Sequence, residues 1–366
     1  MRIAFLSDGG IEKYAVTQRA FMLGRQWVRD GHKVHAFLMD EPGDREKYGE
    51  EIYGIRLHYI QASSRARMVI PKFRAMQPYC FDVVHCLKPS WSFMTSVLYK
   101  LTHRHTCLVV DHDELESRIV APRNRSIVKG LEKLALRVAD GTIVSSAFLA
   151  EIFSKSVPEH RMLYLPYAAN IEFYEAHRHG FSRYRRGNKV ILTYLGYLLP
   201  RYNQDRVVEA LALLARERDD FVTYIVGDGP MRETLIRMAK ERGLSDRIEF
   251  LGFVPYEKVP AILEASDVLL FPIEKNFINQ ARCPNKIFEY ICANRPVVTN
   301  RVGEVEHALG DQGIYFDYES VMDFKDKIEM AIRNKDKRYS DDFIQSHSWK
   351  ARYRIYKSFV ISLIEA

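Results

Sequence analysis

The chain has 366 residues, enough for about two domains of the usual size, roughly 150 residues each. Its 54 Lys and Arg against 47 Asp and Glu give a net charge of +7, and 47% of the residues are hydrophobic, which excludes a disordered or collagen-like chain. Five cysteines without a C-x-x-C pair exclude a zinc ribbon and a disulfide framework. No apolar stretch reaches the roughly 18 residues of a membrane span. We therefore expect a cytoplasmic protein, at most peripheral to a membrane.

The first part of the chain alternates short apolar runs with segments of helical period. Strands are predicted at residues 3–6, 33–38, 55–60, 82–85, 107–110, 141–144 and 161–165. Gly9 and Gly10 form a turn between the first strand and a helix predicted over residues 14–29. This alternation is typical of a parallel sheet with crossover helices.

A polar, basic segment at residues 175–189 predicts a linker, after which the same pattern begins again. Strands are predicted at residues 190–196, 223–226, 248–251, 268–271 and 296–299. We predict an α/β fold of two tandem Rossmann-like, doubly wound parallel-sheet domains, at residues 1–175 and 189–347, with a helix at 348–365 that crosses back to the first. Ligands of such sheets bind outside the carboxyl ends of the strands, which predicts a substrate cleft between the domains.

The segment around residues 282–298 has the densest set of candidate site residues. Pro284 is suited to open a helix, whose first N–H groups, together with Arg282 and Lys286, offer a positive site for a diphosphate. Glu289 lies one turn deeper, where a carboxylate can accept hydrogen bonds from two sugar hydroxyls. A solvated helix face is the alternative interpretation.

Three other features follow predicted strands. The Gly9-Gly10 pair exposes backbone N–H groups to an anion, but the absence of a full G-x-G-x-x-G fingerprint argues against a nicotinamide enzyme. Residues 227–230 (GDGP) are typical of a turn before a helix. His112, flanked by Asp111 and Asp113, is a candidate catalytic residue because it follows a strand, on the side of the sheet that faces the predicted cleft.

Taken in order, these segments resemble the glycosyltransferases of the GT-B fold, in particular the large retaining family 4. The Gly9-Gly10 turn and residues 81–85 (FDVVH) and 139–146 (ADGTIVSS) are similar to motifs of that family's first domain. Four later segments are similar to motifs of the family's second domain: residues 227–230 (GDGP), 250–254 (FLGFV), 265–272 (ASDVLLFP) and 284–298 (PNKIFEYICANRPVV). The last segment matches the most specific signature.

The resemblance implies a nucleoside diphosphate sugar donor bound by the second domain and an acceptor bound by the first. By similarity, Glu289 binds the donor ribose, Phe253 and Val254 border the base, and Gly10 approaches the diphosphate. His112 matches the family's histidine near the transferred sugar. The resemblance also implies retention of configuration without a bound metal, because basic side chains and helix N-termini neutralise the diphosphate.

Three positions depart from the family pattern. The acidic residue expected eight positions before Glu289 is Ala281, and the Arg and Lys expected after the first strand of the second domain fall at Tyr197 and Tyr202. The nearest basic residues that could replace this positive charge are Arg201, Arg282 and Lys286. The phosphate site is thus either rebuilt from them or lost.

Basic residues also recur along two stretches of the first domain. Arg125, Lys129, Lys133 and Arg137 form a stripe, backed by apolar residues at 127, 128, 131, 134 and 135. Such a stripe suits an anionic membrane surface or a lipid-diphosphate acceptor, although it is also what the solvated face of a helix looks like. Residues 61–80 add four basic residues, among them Lys72, and no acidic one. Nucleic acid is not expected, because aromatic residues are not interleaved with the positive charges.

The sequence therefore predicts transfer of a sugar from a nucleotide donor to a hydroxyl of a glycan, lipid-linked or small acceptor. Two alternatives stay open. A GT-B nucleotide-sugar epimerase would consume the donor without an acceptor. A non-catalytic nucleotide-sugar-binding homologue would bind the donor without turnover, and Tyr197, Tyr202 and Ala281 fit this alternative. The donor nucleotide, the acceptor, the linkage and the oligomeric state stay open.

Overall fold

The computed structural model describes residues 1–11 and 15–366, apart from the side chains of residues 15, 16 and 201. The chain divides into two compact units. Unit 1 contains Met1–Tyr167, Ala281–Cys283 and Trp349–Ala366, and unit 2 contains Ala168–Gln280 and Pro284–Ser348.

Unit 1 is built on an eight-stranded sheet of order β3-β4-β2-β1-β5-β6-β7-β8. The strands are β1 Arg2–Leu6, β2 Lys33–Met39, β3 Glu51–Ile52, β4 Ile55–Ile60, β5 Val83–Cys86, β6 Cys107–His112, β7 Gly141–Val144 and β8 Met162–Tyr164. All neighbours are parallel except β3 and β4, which form a short antiparallel pair at the sheet edge. The central strands read as continuous apolar runs because helices cover both faces of a parallel sheet.

Helices connect these strands in the manner of a doubly wound fold. They are α1 Ala15–Arg29, α2 Asp44–Tyr48, α3 Val69–Met76, α4 Trp91–Thr102, α5 Glu116–Ile119, α6 Arg125–Val138 and α7 Ala147–Ser154. One core cluster contains Leu6, Phe37, Phe81, Phe93 and Leu108, all fully buried.

Unit 2 is built on a six-stranded, wholly parallel sheet of order β11-β10-β9-β12-β13-β14. Its strands are β9 Val190–Leu195, β10 Phe221–Val226, β11 Ile248–Gly252, β12 Val268–Phe271, β13 Val297–Thr299 and β14 Ile314–Tyr315. Its helices are α8 Ile171–His177, α9 Asp205–Leu214, α10 Arg232–Glu241, α11 Val259–Ala265, α12 Phe277–Ala281, α13 Asn285–Ala293, α14 Gly303–Leu309, α15 Val321–Arg333 and α16 Asp341–Ser346. The last residue of α12, Ala281, is counted with unit 1.

A final helix, α17 (Trp349–Glu365), returns to unit 1 and packs on α1 and β6. The Tyr356 ring is fully buried and lies edge-on to Trp27, with the ring centroids 6.0 Å apart. The Tyr356 hydroxyl is 2.9 Å from His85 Nδ1. Tyr353 and Lys357 both donate hydrogen bonds to the Asp30 carboxylate at the end of α1. Aromatic and polar contacts thus attach α17 to unit 1.

The boundary between the units falls after Tyr167, earlier than the polar segment at 175–189 suggests. Residues 168–188 belong to unit 2 because Ala169 N donates to His347 O at 2.7 Å and the Tyr174 hydroxyl donates to Glu264. Both partners lie in unit 2. The two-residue strands β3 and β14 were not predicted from the sequence.

Candidate active site

Three loops lie side by side at the carboxyl edge of the unit 2 sheet. They follow β9, β10 and β11, which are neighbours in the sheet. Gly196 N donates to Val226 O at 2.9 Å, and Gly227 N donates to Gly252 O at 2.8 Å. This edge is where open parallel sheets bind their ligands.

Glycines allow the backbones of these loops to touch. A Cβ added to Gly227 would lie 2.0 Å from Gly196 O, and one added to Gly229 would lie 2.5 Å from Leu198 O. Both glycines have positive φ angles, 131° and 149°, which other residues rarely adopt. The segment GDGP is therefore required for close packing of the loops, which agrees with its interpretation as a turn.

Lys286 places its ammonium beside the loop that follows β9. A Cβ on Gly196 would lie 2.1 Å from Lys286 Nζ, so the ammonium occupies the space that this glycine leaves open. Nζ also lies over the rings of Tyr194 and Phe271, at 4.8 Å from each centroid, and 5.9 Å from that of Tyr202. Ring faces attract a cation without neutralising it. The site therefore has a positive charge at the strand ends, suited to a phosphate.

Helix α13 adds its N-terminus to the same region. Pro284 is the N-cap residue, with extended backbone (φ −76°, ψ 118°), and its side chain makes no capping hydrogen bond. Lys286 lies in the first turn, so its charge adds to the positive end of the helix dipole. At the other end Asn294 adopts the left-handed conformation (φ 54°) that commonly terminates a helix.

Glu289, one turn further along α13, is partly buried in unit 2 and shares a small cavity with Tyr256. Burial raises the pKa of Glu289, while a hydrogen bond with Tyr256 and the charge of Lys286 act in the opposite direction. The carboxylate retains capacity for further donors, because an ionised carboxylate accepts about four hydrogen bonds. It is suited to bind sugar hydroxyls.

Phe253 and Val254 come directly after β11. The Phe253 ring is 80% exposed, whereas Val254 is partly buried against a core cluster that includes Ile262. An exposed ring at the carboxyl edge of the sheet is available to stack on a base. The Arg201 backbone lies in a 3-10 turn, Pro200–Tyr202, and its side chain lies outside the described residues.

In unit 1, His112 is the last residue of β6 and is fully buried. Its ring lies edge-on to Phe153, with the centroids 4.8 Å apart. Burial lowers the pKa of His112 to about 4, so the ring is neutral near pH 7. Neither ring nitrogen has a hydrogen-bond partner among the described residues. Buried polar atoms without partners are uncommon in native proteins and call for an explanation.

The residue before His112 belongs to a buried ionic chain that the sequence did not indicate. Asp111 Oδ2 is 2.9 Å from Arg19 Nε and 3.6 Å from His85 Nε2, and all three side chains are fully buried. Burial raises the pKa of Asp111, but the Arg19 guanidinium and the neighbouring His85 and His112 together outweigh burial and hold the pKa below its usual range. Arg19 also donates to Leu165 O at 2.6 Å. These contacts join the ends of several unit 1 elements.

The Gly9-Gly10 turn has surroundings that disfavour a diphosphate. A Cβ on Gly10 would lie 2.3 Å from an Asp44 carboxylate oxygen and 2.7 Å from Glu41 Cγ. The same Asp44 oxygen accepts a hydrogen bond from Ile11 N at 2.8 Å. Gly9 N donates to Ser7 Oγ instead of pointing to an open site. The predicted approach of Gly10 to a diphosphate has no support here, because carboxyl-bearing side chains already fill the space around it.

Residues 281–283 belong to unit 1, whereas the signature that follows them, residues 284–298, belongs to unit 2. Ser146 Oγ donates to Ala281 O at 2.8 Å, and Tyr167 N donates to Cys283 Sγ at 3.3 Å. Arg282 therefore belongs to unit 1, whereas Lys286 and Glu289 belong to unit 2.

Comparisons with known proteins assign both halves of the chain. Residues 179–346 match the family described as Glycosyl transferases group 1, and residues 15–168 match the Glycosyl transferase 4-like domain. The chain belongs to the family-4-like glycosyltransferases of the GT-B fold. The sequence-based identification of the family and of its two Rossmann-like domains is confirmed.

Named relatives match only part of the chain. A GDP-mannose-dependent alpha-(1-6)-phosphatidylinositol monomannoside mannosyltransferase of Mycobacterium tuberculosis is 33% identical over 144 residues, which cover 37% of each chain. A 2-deoxystreptamine glucosyltransferase of Streptomyces kanamyceticus is 32% identical over 120 residues, which cover 33% of this chain and 30% of that protein. The matches thus span about a third of the length of these relatives.

Solved structures match nearly the whole chain. Anabaena Alr3699/HepE in complex with UDP superposes with a TM-score of 0.76 at 16% identity, over 99% of this chain and all of that one. Its complex with UDP-glucose gives a TM-score of 0.72 at 16% identity, over 100% and 98% of the two chains. At this identity the likeness establishes the fold.

Around Tyr197 and Tyr202, where the resemblance led us to expect basic residues, the structure adds polar groups that sequence reasoning missed. Tyr197 is 58% exposed, and its carbonyl accepts a hydrogen bond from the Gln204 amide at 3.0 Å. Asn203 Nδ2, Gln204 Oε1 and Asn285 Oδ1 are buried without a partner among the described side chains. All three residues lie within two positions of Tyr202 or Lys286. Of these features, the sequence indicates only the left-handed backbone of Asn203 (φ 53°), because Asn tolerates a positive φ better than most residues.

The predicted basic stripe lies on α6, and its four basic residues are exposed. Two of the apolar residues assigned to its inner side are exposed as well, Ile127 at 55% and Leu134 at 38%. Ala135 is fully buried, and the helix's single acidic residue, Glu132, is buried and accepts a hydrogen bond from Ser117 N. The exposed face is therefore both basic and apolar.

Lys72, predicted to add to the basic surface, is buried, so that prediction was wrong. Its ammonium donates to Ser7 O at 2.7 Å and to Ser92 Oγ at 2.6 Å. Burial lowers the pKa of Lys72 to about 8. The residue supports the loop after β1 and makes no surface charge.

Within residues 1–11 and 15–366, the structure has neither a cluster suited to a metal ion nor a helix suited to span a membrane. No group of three or more His, Cys, Asp and Glu side chains is arranged to hold a metal ion there. No helix in this described part is both long and apolar enough to cross a bilayer.

Proposed function

We propose that the chain transfers a glycosyl group from a nucleoside diphosphate sugar to an acceptor hydroxyl, with the donor bound at the carboxyl edge of the unit 2 sheet. The observation that carries the proposal is the position of Lys286. Its ammonium lies in the space left by Gly196, beside loops packed backbone to backbone, and in the first turn of α13. The complexes of the structural neighbour with UDP and UDP-glucose support a nucleotide-sugar donor.

In this proposal Lys286 and the α13 N–H groups stabilise the charge that grows on the leaving diphosphate. A leaving nucleoside diphosphate gains negative charge in the transition state, so a fixed ammonium lowers the barrier more than it tightens ground-state binding. Glu289 binds the ribose, and Phe253 and Val254 border the base. Arg201 and Arg282 remain the other basic candidates for the phosphates. No metal ion is needed in this scheme.

His112 is proposed to bind the transferred sugar. Its two ring nitrogens have no partner among the described residues and the ring is neutral, so it can donate one hydrogen bond to a sugar hydroxyl and accept another. The family resemblance favours retention of configuration, with the leaving diphosphate taking part in deprotonation of the acceptor. Because Ala281 replaces a carboxylate, we do not propose a double displacement on protein carboxylates.

Calorimetric titration with UDP and GDP, with and without EDTA, tests the donor site. We expect one nucleotide to bind equally well in both conditions, and affinity that disappears on chelation would contradict the metal-free scheme. A screen of NDP-sugars for NDP release, with a panel of acceptors, then tests transfer. Consumption of donor without any acceptor would favour the epimerase, and binding without turnover would favour a non-catalytic homologue.

We also propose that the exposed face of α6 contacts an anionic membrane surface that presents a lipid-linked acceptor. What supports this is the combination of exposed Ile127 and Leu134 with Arg125, Lys129, Lys133 and Arg137. Apolar side chains enter the interface while the basic ones meet lipid headgroups. The cytoplasmic location stays a prediction from the sequence.

Sedimentation with vesicles tests this contact. The double variant Lys129→Glu and Lys133→Glu should bind phosphatidylglycerol-containing vesicles at least tenfold more weakly, since each basic residue near such a surface contributes about 1 kcal/mol. The matched control is Arg237→Glu with Lys240→Glu on α10, whose side chains are also exposed. Equal binding to neutral and anionic vesicles, or an equal loss in the control, would contradict the contact.

A further inference from the structure

Tyr256 is a residue near the proposed donor site that no sequence motif singled out. It follows β11 by four positions and opens a short 3-10 turn, Tyr256–Lys258, after Pro255. The residue is 47% exposed.

Aromatic stacking from a different helix fixes the plane of the Tyr256 ring. Phe173 of α8 lies nearly parallel to it, with the ring centroids 4.7 Å apart and the planes at 19°. His177 stacks on the other side of Phe173 at 4.1 Å and 20°. Three rings in a row thus restrict the tyrosine, because stacked aromatic pairs gain energy beyond their burial.

Tyr256 acts on the Glu289 carboxylate as a hydrogen-bond donor, which lowers the pKa of that carboxylate against the effect of burial. Tyr256 and Glu289 line one small cavity, together with Phe173, Val259, Leu263 and Cys292. Two other polar side chains line the cavity: the Tyr174 hydroxyl donates to Glu264, and the Asn170 side chain accepts from Phe173 N. A carboxylate held by one phenol keeps its remaining lone pairs for other donors.

We infer that Tyr256 is a positioning residue, which holds the Glu289 carboxylate in the orientation that accepts hydrogen bonds from both hydroxyls of the donor ribose. The inference rests on the proposed function, in which Glu289 binds the ribose. On this inference, the arrangement of Phe173, Tyr256 and Glu289 determines the preference for ribonucleotides over 2′-deoxyribonucleotides. A donor with a 2′-deoxyribose loses one of the two hydrogen bonds that the oriented carboxylate accepts.

The experiment compares a ribonucleoside diphosphate with its 2′-deoxy analogue by calorimetry, using UDP and dUDP or GDP and dGDP, whichever pair the parent binds. The parent should bind the ribonucleotide about tenfold more tightly, as expected for one hydrogen bond to a charged group. Tyr256→Phe keeps the ring and its stack but removes the hydroxyl. It should reduce this preference to within about threefold, mostly by weakening ribonucleotide binding.

Tyr315→Phe is the matched control. Tyr315 is also in unit 2, and its hydroxyl donates to Gly310 O at 2.7 Å, away from Glu289. This control should keep the parent's preference. Phe173→Leu should give an intermediate preference, because it loosens the stack while leaving the Tyr256 hydroxyl in place.

The possible results separate the two hypotheses. A parent that binds neither nucleotide contradicts the proposed function. A parent that binds both equally contradicts the ribose role of Glu289, and the positioning role with it. If the parent discriminates and Tyr256→Phe discriminates equally, or loses affinity for both nucleotides by the same factor, the positioning role is wrong while the donor site stands.

Discussion

Replacing Lys286 with methionine isolates the charge that the proposed diphosphate site depends on. Methionine keeps most of the aliphatic volume and contact with the rings of Tyr194 and Phe271, each 4.8 Å from Nζ. At an effective dielectric constant of about 20, two unit charges about 4 Å apart interact by about 4 kcal/mol. If most of this interaction energy stabilises the charge that grows in the transition state, its loss in Lys286→Met should lower turnover at least 100-fold.

The assay is NDP release under saturating donor, with kcat and KM measured separately. Lys286→Met should lower kcat by this factor and change KM for the donor much less, because the interaction is strongest in the transition state. Lys286→Arg should recover part of the loss, since the planar guanidinium keeps the charge but changes the geometry. Lys240→Ala, an exposed lysine of α10, is the control and should match the parent.

A melting temperature for each variant separates folding from chemistry. If Lys286→Met folds normally and both constants stay within about twofold of the parent, the ammonium does not act on the diphosphate. Arg201 then becomes the better candidate for that role.

Four further outcomes are expected. Glu289→Ala should raise the donor Kd about tenfold while kcat falls less, by calorimetry and NDP release. His112→Ala should lower kcat with the donor Kd unchanged within about twofold, and a Kd change alone would contradict its proposed contact with the sugar. Gly227→Ala should lower both the melting temperature and donor affinity, because its Cβ would lie 2.0 Å from Gly196 O. His35 Nδ1 lies 2.9 Å from His58 Nε2, and burial lowers the pKa of each ring from 6.5 to about 4. Between pH 4 and 6.5 the unfolded state therefore binds more protons at these two histidines than the folded state does, and thermal stability should fall as the pH drops through this range. A melting temperature that stays constant over this range would refute this prediction.

The fold was readable from the sequence where the pattern is local. Central strands such as β6 and β9 are apolar runs because both of their faces are covered, so hydropathy reveals them directly. The two-residue edge strands β3 and β14 have too few residues to show a pattern. The boundary at Tyr167 was not readable either, because it depends on the pairing of Ala169 with a residue far along the chain, His347.

The candidate site was predictable only for residues on one element. The spacing of Lys286 and Glu289 along a single helix follows from the sequence, and the structure places both on α13. The partnership of Phe173 with Tyr256 was not readable, because the sequence placed Phe173 at the end of the first domain, whereas α8 belongs to unit 2. The crowding of Gly10 by Asp44 likewise depends on a contact between two separate loops.

The return of α17 to unit 1 has a consequence for how the chain is made. The helix follows the whole of unit 2 in the sequence, yet its buried Tyr356 and its bonds to Asp30 complete the packing on α1. During synthesis, unit 2 must leave the ribosome before unit 1 receives its last helix. Nascent unit 1 therefore waits with the apolar surface around Trp27 uncovered, a state prone to chaperone binding and aggregation.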